Sequence, residues 1–151
     1  AAQILSSLFY GEIMMVKAHL SAVINGDLET VWQIIVDNEH YAWRSDLQKI
    51  VINDTTSFTE WSKNGIATHF VITAQEYCCR YELDLENPNL CGHWQGLFSA
   101  TAAGTQIELT EALVVKKPLL RLFAGKYLRQ QQQKYLADLR REVARRSKAK
   151  C

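Results

Sequence analysis

Apolar and polar residues alternate, or recur at helical spacing, through most of this chain, so its elements can be predicted in order. Alternation over residues 14–24 predicts a first strand, which ends at the Asn25–Gly26 turn. Asp27 is a suitable N-cap for the helix that follows. The apolar face of that helix comprises Leu28, Val31, Trp32, Ile35 and Val36. A second short helix is predicted over residues 39–43.

A run of strand-like segments comes next. The predicted strands cover residues 47–53, 57–62, 66–74, 77–85, 92–100 and 106–115. Asn64–Gly65 and Ala103–Gly104 are turn signals, and Pro88 interrupts the pattern between two of the strands. The clearest alternation places Tyr77, Cys79, Tyr81, Leu83 and Leu85 on one face.

The chain closes with a long helix that begins near Pro118, where proline is tolerated. Its apolar stripe comprises Leu120, Ala124, Tyr127, Leu128, Gln131, Tyr135, Leu139 and Val143. The 151 residues are predicted to form one domain, with an extension over 1–13, a core over 14–146 and a frayed tail over 147–151. A sheet that leads into one amphipathic helix tends to wrap around it and leave a cavity. The order of elements therefore predicts an α+β container for an apolar small molecule.

Charge is distributed unevenly along the chain. Residues 1–115 hold five Lys/Arg and fourteen Asp/Glu, a net of −9, whereas residues 116–151 hold twelve and two, a net of +10. A basic segment of this kind can bind nucleic acid or an anionic membrane, or it can pair with the acidic body. Pairing with the body is the favoured interpretation. Because no nucleic-acid-binding module is recognisable, a nucleic-acid partner is not expected.

Composition narrows the chemistry further. Cys78, Cys79, Cys91 and Cys151 show no metal-binding spacing, which favours a reduced, cytoplasmic protein without a metal or cofactor. Cys79, if it faces inward, is expected to be a small core residue. No stretch reaches the roughly 18 apolar residues of a membrane span, and residues 1–16 lack the basic start of a signal peptide. Motifs for a nucleophilic serine or a phosphate-binding loop are absent.

Several short segments, taken in order, resemble one superfamily. They are Ala22–Ile24 through Val31–Trp32, Trp43–Leu47, Asn64–Gly65, Pro88 through Gly92 and Trp94, Gly104–Thr105, Thr110–Glu111, and the long last helix. This order resembles the helix-grip fold of the START-like (SRPBCC) superfamily, and within it the bacterial polyketide cyclase/dehydrase-type proteins. The resemblance covers about residues 14 to 145.

The resemblance implies a curved antiparallel sheet of about seven strands wrapped around the C-terminal helix, with two short helices after the first strand and a cavity inside. Members of the superfamily bind lipids, sterols, polyketides, plant hormones or hydrophobic peptides, and some are cyclases or hydrolases. A shared fold is weak evidence for a shared reaction, because function depends on the site.

Ten residues are candidates for the ligand-binding site. The apolar wall is predicted to comprise Trp43, Phe70, Tyr81, Trp94, Phe98, Leu109, Phe123 and Tyr127, with Glu111 and Gln131 as polar anchors. Trp43 either closes one end of the cavity or is a core aromatic. Gln131 either orients a ligand, bonds a strand carbonyl or reaches solvent.

Glu111 is the candidate acid or base. It shares a strand face with Ile107, Leu109 and Leu113, where burial would raise the pKa of its carboxyl. The alternative is an open or bulged strand end that leaves Glu111 solvated. Two further pairs have more ordinary interpretations: Arg44 and Asp46 are expected to pair locally or cap, and His69 and His93 to lie on the outer face.

Three functions follow from these observations. The leading hypothesis is a non-enzymatic protein that binds a hydrophobic or amphipathic small molecule of lipid, polyketide or aromatic type. The second is a cyclase/dehydrase-like enzyme in which Glu111 accepts a proton. The third is peripheral contact of the basic last helix with an anionic membrane. The chain is expected to be a monomer or a weak dimer.

Overall fold

The computed structural model describes residues 15–150. One short helix follows the first strand, six more strands follow that helix, and one long helix closes the chain. The elements are β1 (Met15–Ile24), α1 (Leu28–Val36), β2 (Leu47–Asp54), β3 (Ser57–Ser62), β4 (Ala67–Glu76), β5 (Arg80–Glu86), β6 (Leu90–Thr101), β7 (Gly104–Val115) and α2 (Pro118–Ala149).

The strands form one antiparallel sheet in the order β1-β7-β6-β5-β4-β3-β2. Register shifts near Lys49, Asp54 and Ala74 interrupt the regular pairing, and irregularities of this kind bend and twist a sheet. The sheet curves around α2, which contacts β1, β7 and α1. The predicted α+β helix-grip fold is therefore confirmed.

The core lies between the sheet, α1 and the middle and C-terminal turns of α2. Val31, Ile107, Leu139 and Val143 are essentially inaccessible to solvent. The Asp27 carboxylate accepts a hydrogen bond from the backbone N–H of Thr30 at 3.0 Å, so the predicted N-cap of α1 is confirmed.

Two glycines permit close approach at one end of the sheet. A Cβ on Gly26 would lie 2.4 Å from Val143 Cγ1. Gly104 has a φ of +133°, and a Cβ there would lie 2.1 Å from the carbonyl oxygen of Ile24. The turn before β7, the end of β1 and α2 can therefore meet without a steric clash.

The predicted second short helix over residues 39–43 is wrong, because this stretch forms turns. The Asp37 carboxylate accepts hydrogen bonds from the backbone N–H groups of Glu39 and His40 at 3.0 and 3.2 Å. These N–H groups therefore have a local side-chain acceptor and do not need a helical turn.

Further along this loop, Asp138 of α2 accepts hydrogen bonds from both the backbone N–H and the hydroxyl of Ser45, at 2.7 and 2.8 Å. Hydrogen bonds to side chains therefore fix the conformation of this loop. The pattern of apolar residues in the sequence does not predict such contacts.

The strand predicted over 77–85 begins later, at Arg80. Residues 77–79 form the turn after β4, with Cys78 at a φ of 56° and a hydrogen bond from Cys79 N to the carbonyl of Glu76. Cys79 is exposed, so its interpretation as a core residue does not apply. Tyr81 and Leu83 are buried, as the alternation predicts.

The predicted ends of the chain lie only partly within the described residues. Helix α2 continues to Ala149, so it includes residues 147–149 of the predicted frayed tail; the fraying itself stays a prediction. The predicted extension over 1–13, the strand start at Met14 and the tail residue Cys151 lie outside the described residues. Between residues 15 and 150, no helix combines the length and apolar character needed to cross a membrane.

Truncating Leu139 tests whether α2 is anchored by its inner face. The side chain of Leu139 is 0 % exposed, so Leu139→Ala should lower the free energy of unfolding by about 2–5 kcal/mol. Leu122 of the same helix is 80 % exposed, so Leu122→Ala should change it by less than about 0.5 kcal/mol. Urea unfolding followed by circular dichroism measures both, and equal losses would contradict this packing.

Candidate functional site

A pocket of about 200 Å³ lies between the concave face of the sheet and α2. Strands β3 to β7 supply its floor, α2 supplies its roof, and the loop after α1 closes one side. The side chains on the floor alternate along each strand, so that every second residue reaches the pocket. The apolar and aromatic lining includes Phe58, Phe70, Tyr81, Leu83, Leu85, Trp94, Leu109, Leu113, Tyr127 and Tyr135.

Most of the ten candidate residues meet in this pocket. Those that line it are Phe70, Tyr81, Trp94, Leu109, Glu111, Tyr127 and Gln131. Their inward orientation follows from strand alternation in β4 to β7 and from the spacing of the α2 stripe. The role of these seven in ligand binding stays a prediction.

The remaining three candidates lie elsewhere. The ring of Trp43 packs edge-on against Tyr135 at 5.3 Å and lines a separate surface cleft. Phe98 is buried with its ring 5.4 Å from Trp32, so it belongs to the core beneath α1. Phe123 is 69 % exposed on α2 and does not line the pocket. None of the three side chains lines the pocket, because apolar character alone does not distinguish pocket from core or surface. Trp43 packs against the core, which agrees with its alternative interpretation as a core aromatic. A part for these three in ligand binding stays a prediction.

A buried charge cluster lies at one side of the pocket. Arg44 donates from Nε and Nη2 to the two oxygens of Asp46 at 2.9 and 2.8 Å, and from Nη1 to Glu60 at 3.3 Å. Its guanidinium also lies 5.0 Å from the centre of the Tyr135 ring. The local pairing predicted for Arg44 and Asp46 is therefore confirmed.

Glu60 was not among the candidates, although the sequence holds a signal for it. It follows Phe58 by two residues in a predicted strand, and residues two apart share a face. Burial raises the pKa of the Glu60 carboxyl, Arg44 opposes that rise, and Asp46 adds to it. Burial alone would lower the pKa of Arg44, but the carboxyls of Glu60 and Asp46 raise it overall, so Arg44 stays charged.

Glu111 is the chemically distinctive group in the pocket. Burial raises the pKa of its carboxyl to about 7; Arg44 opposes this rise and Glu60 adds to it. Strand β7 is paired without interruption on both sides, with Glu111 opposite Ala18 and Trp94. The open or bulged strand end considered as an alternative is therefore absent at this position.

The Glu111 carboxyl makes no hydrogen bond or ion pair with any of residues 15–150. By contrast, Arg44 and Asp46 are paired, and the Tyr81 hydroxyl accepts a hydrogen bond from Asn38 Nδ2 at 3.2 Å. A pocket-facing carboxyl with a pKa near neutrality can donate when protonated and accept when ionised. Glu111 thus has hydrogen-bonding capacity available for a molecule in the pocket.

Two neighbouring glutamines of α2 have different surroundings: one lines the pocket and the other bonds a strand carbonyl. Gln131 lines the pocket beside Tyr127, and its hydrogen bonding opposes the burial that raises the pKa of the Tyr127 hydroxyl. The buried Gln132 instead donates to the carbonyl of Ala18 at 3.2 Å, which ties α2 to β1. The strand-carbonyl contact considered for Gln131 is therefore made by its neighbour.

The histidines do not contribute to the pocket. His93 Nδ1 lies 2.7 Å from Asp84 on the outer face of the sheet, and His69 is exposed. Both placements agree with the prediction. Within residues 15–150, no cluster of three or more His, Cys, Asp or Glu side chains is arranged to hold a metal ion.

Comparison with known proteins identifies the fold. No family model and no curated protein matches this chain. A START superfamily protein from Mycobacterium smegmatis superposes with a TM-score of 0.75 at 13 % identity, covering 87 % of this chain and 97 % of that one. The Zhui aromatase/cyclase from Streptomyces sp. R1128 gives a TM-score of 0.79 at 12 % identity, covering 88 % and 96 %.

A third solved structure has the same arrangement. The di-domain aromatase/cyclase StfQ of the steffimycin biosynthetic pathway gives a TM-score of 0.68 at 14 % identity, over 93 % of this chain and 54 % of that one. The chain therefore has the START-like helix-grip fold. At these identities the likeness concerns the fold alone.

Replacing Glu111 tests its pKa. Below about pH 4.5 the carboxyl is protonated in both the folded and unfolded protein. Between pH 4.5 and about 7 the unfolded chain ionises first, so the folded state loses stability as pH rises. At pH 8, Glu111→Gln should therefore be more stable than the parent protein by about 1–3 kcal/mol, and at pH 4.5 the difference should be small.

Glu108→Gln is the matched control, because Glu108 is exposed on the outer face of the same strand. Because this side chain is exposed, its replacement should change the free energy of unfolding by less than about 0.5 kcal/mol. Urea unfolding across this pH range gives both values, and a stability difference for Glu111→Gln that stays constant from pH 5 to pH 8 would show that Glu111 has an ordinary pKa.

Proposed function

We propose that this protein binds a small amphipathic molecule in the pocket between sheet and α2. The observation that carries the proposal is Glu111, a carboxyl that faces an apolar pocket without a protein hydrogen-bond partner among residues 15–150. A ligand hydroxyl or carbonyl would use the hydrogen-bonding capacity that the protein leaves free at this carboxyl. The START-like fold of the structural neighbours supports a binding role.

Pocket size limits the ligand. The volume of about 200 Å³ is below the roughly 300–1,000 Å³ of typical small-molecule sites. It exceeds the roughly 150 Å³ cavity that admits benzene. A molecule of one or two rings fits these bounds, and the aromatic lining from Phe70, Trp94 and Tyr135 suits ring contacts.

Pocket charge further restricts the ligand to a neutral molecule. Arg44 is already paired with Asp46 and Glu60, so it has no free charge to offer an anion. Glu111 adds a further acidic group, which would repel a carboxylate and accept or donate a hydrogen bond to a hydroxyl. The ligand class is therefore neutral aromatic molecules of one or two rings that carry hydroxyl or keto groups.

Titration with three naphthalene derivatives tests the ligand class. We expect 2-naphthol to bind more tightly than naphthalene, because its hydroxyl satisfies Glu111, and 2-naphthoate to bind most weakly, because its carboxylate meets a net acidic pocket. Isothermal titration calorimetry at neutral pH measures the three dissociation constants. Tightest binding by 2-naphthoate would refute the assignment.

Filling the pocket tests its location. Leu109→Phe should weaken 2-naphthol binding by at least about tenfold, since the larger ring occupies ligand space. The control Leu122→Phe makes the same change on an exposed part of α2 and should leave binding unchanged. Equal affinities for the two variants would place the ligand elsewhere.

A second candidate function is catalysis in the same pocket. The Glu111 carboxyl has a pKa of about 7, which suits a general base at neutral pH, and two structural neighbours are aromatase/cyclases. In such a reaction the pocket would fold a polyketide-like substrate, and Glu111 would accept a proton from a carbon next to a carbonyl.

Glu111→Gln distinguishes the enzyme from the carrier. For an enzyme, the variant should keep ligand affinity within about threefold but lose turnover by about 100-fold or more, because glutamine cannot accept the proton. The rate of the parent protein should rise with pH through about 7 as Glu111 ionises. Product formation from a poly-β-keto thioester, followed by liquid chromatography, is the measurement; absence of any turnover favours the carrier.

A further inference from the structure

The first turns of α2 present an apolar surface that the fold does not cover. Leu119 and Leu122 are each 80 % exposed and Phe123 is 69 % exposed. Their spacing of three and four residues places them on one side of the helix, opposite the buried Leu128. Large apolar side chains grouped in this way usually mark an interaction site.

The charge along this segment is predominantly positive. From residue 116 to residue 137 the chain holds six Lys/Arg and no Asp or Glu. Lys116 pairs with Glu86 at 2.8 Å, and the other five form no ion pair within residues 15–150. Lys117, Lys126 and Arg129 are exposed along the same turns. The first turn of α2 also lacks an acidic residue and a capping side chain. Positive charge at a helix start opposes the helix dipole, so this arrangement is not explained by the stability of the helix.

We propose that the first turns of α2 dock on an anionic lipid bilayer. Leu119, Leu122 and Phe123 insert at the level of the lipid headgroups, and Lys117, Lys126 and Arg129 bind the lipid phosphates. Exposed apolar residues interleaved with lysine and arginine are typical of segments that lie in a membrane interface. An anionic surface complements both features at once.

The distribution of charge disfavours a second copy of the chain as the partner of this surface. A symmetric contact with the same segment of a second copy would bring five unpaired positive charges against five, because only Lys116 pairs with a carboxylate. At the other end of α2, the arginines are partly neutralised within the helix, because Asp138 pairs with Arg141 and Glu142 pairs with Arg145 and Arg146. The start of α2 is therefore the better surface for anionic lipid.

The docking surface adjoins the pocket. Tyr127 is 54 % exposed on the same segment of α2 and also lines the pocket. A bilayer held by Leu122 and Phe123 would lie next to that side of the pocket. The docking proposal itself does not depend on the identity of the ligand or on any reaction.

Co-sedimentation with vesicles tests the proposal on the full chain. The protein should bind phosphatidylcholine vesicles that contain about one quarter phosphatidylglycerol at about 50 mM NaCl, and bind pure phosphatidylcholine at least about tenfold more weakly. Leu122→Gln combined with Phe123→Gln should weaken binding by at least about tenfold, although both residues are exposed and the fold is retained.

Two charge variants with equal net charge locate the contact. Lys117→Gln with Lys126→Gln should weaken vesicle binding by about tenfold or more, whereas Lys148→Gln with Lys150→Gln should have an effect of less than about threefold. Circular dichroism confirms that every variant is folded.

Four results would overturn the proposal. They are no binding to the anionic vesicles, binding unchanged by the Leu122 and Phe123 substitutions, a larger loss from the Lys148 and Lys150 pair, and tighter binding to mixed-sequence duplex DNA than to vesicles. A concentration-dependent dimer that the Leu122 and Phe123 substitutions abolish, without vesicle binding, would instead identify the surface as a contact between copies of this chain.

Discussion

The structure depends on how α2 lies across the concave face of the sheet. A helix placed there buries polar groups together with its apolar stripe, and each buried polar group needs a partner. Gln132 meets this requirement by donating to Ala18 of β1, and Asp138 meets it by accepting two hydrogen bonds from Ser45. These contacts fix α2 against the first strand and against the loop that leads into β2. Gln132 also lines the pocket.

The pocket combines an apolar lining with charges that are only partly compensated. Arg44 is held by Asp46 and Glu60 and lies against the Tyr135 ring, so its charge is neutralised within the protein. Glu111 lines the same pocket without a hydrogen-bond partner of its own among the described residues, and burial raises the pKa of its carboxyl toward neutrality. The Glu111 carboxyl is thus available to a ligand, whereas the charges of Arg44 and Asp46 are already paired. A lining carboxyl without a protein partner distinguishes this pocket from an ordinary core, where buried polar groups are paired.

The apolar residues of α2 lie in two different environments, one buried and one exposed to solvent. Its middle and C-terminal turns bury Leu136, Leu139 and Val143 against the sheet and α1. Its first turns leave Leu122 and Phe123 exposed among basic side chains. Leu122 and Phe123 are exposed because they lie on the side of the helix opposite Leu128, which packs against the sheet. The two groups of apolar residues therefore lie on opposite sides of one helix, and only one of them is part of the core.

The sequence by itself determined the order of elements, the inward faces of the strands and the α+β fold, because alternation and helical spacing are local properties. Placing Glu111 beside Leu109 and Leu113 needed only the two-residue period of one strand. The position of Phe123, the absence of a second short helix and the partnership of Arg44 with Glu60 depended on which segments meet. Those contacts join residues far apart in the chain, and only the tertiary structure decides which apolar residues find cover and which charges find a partner.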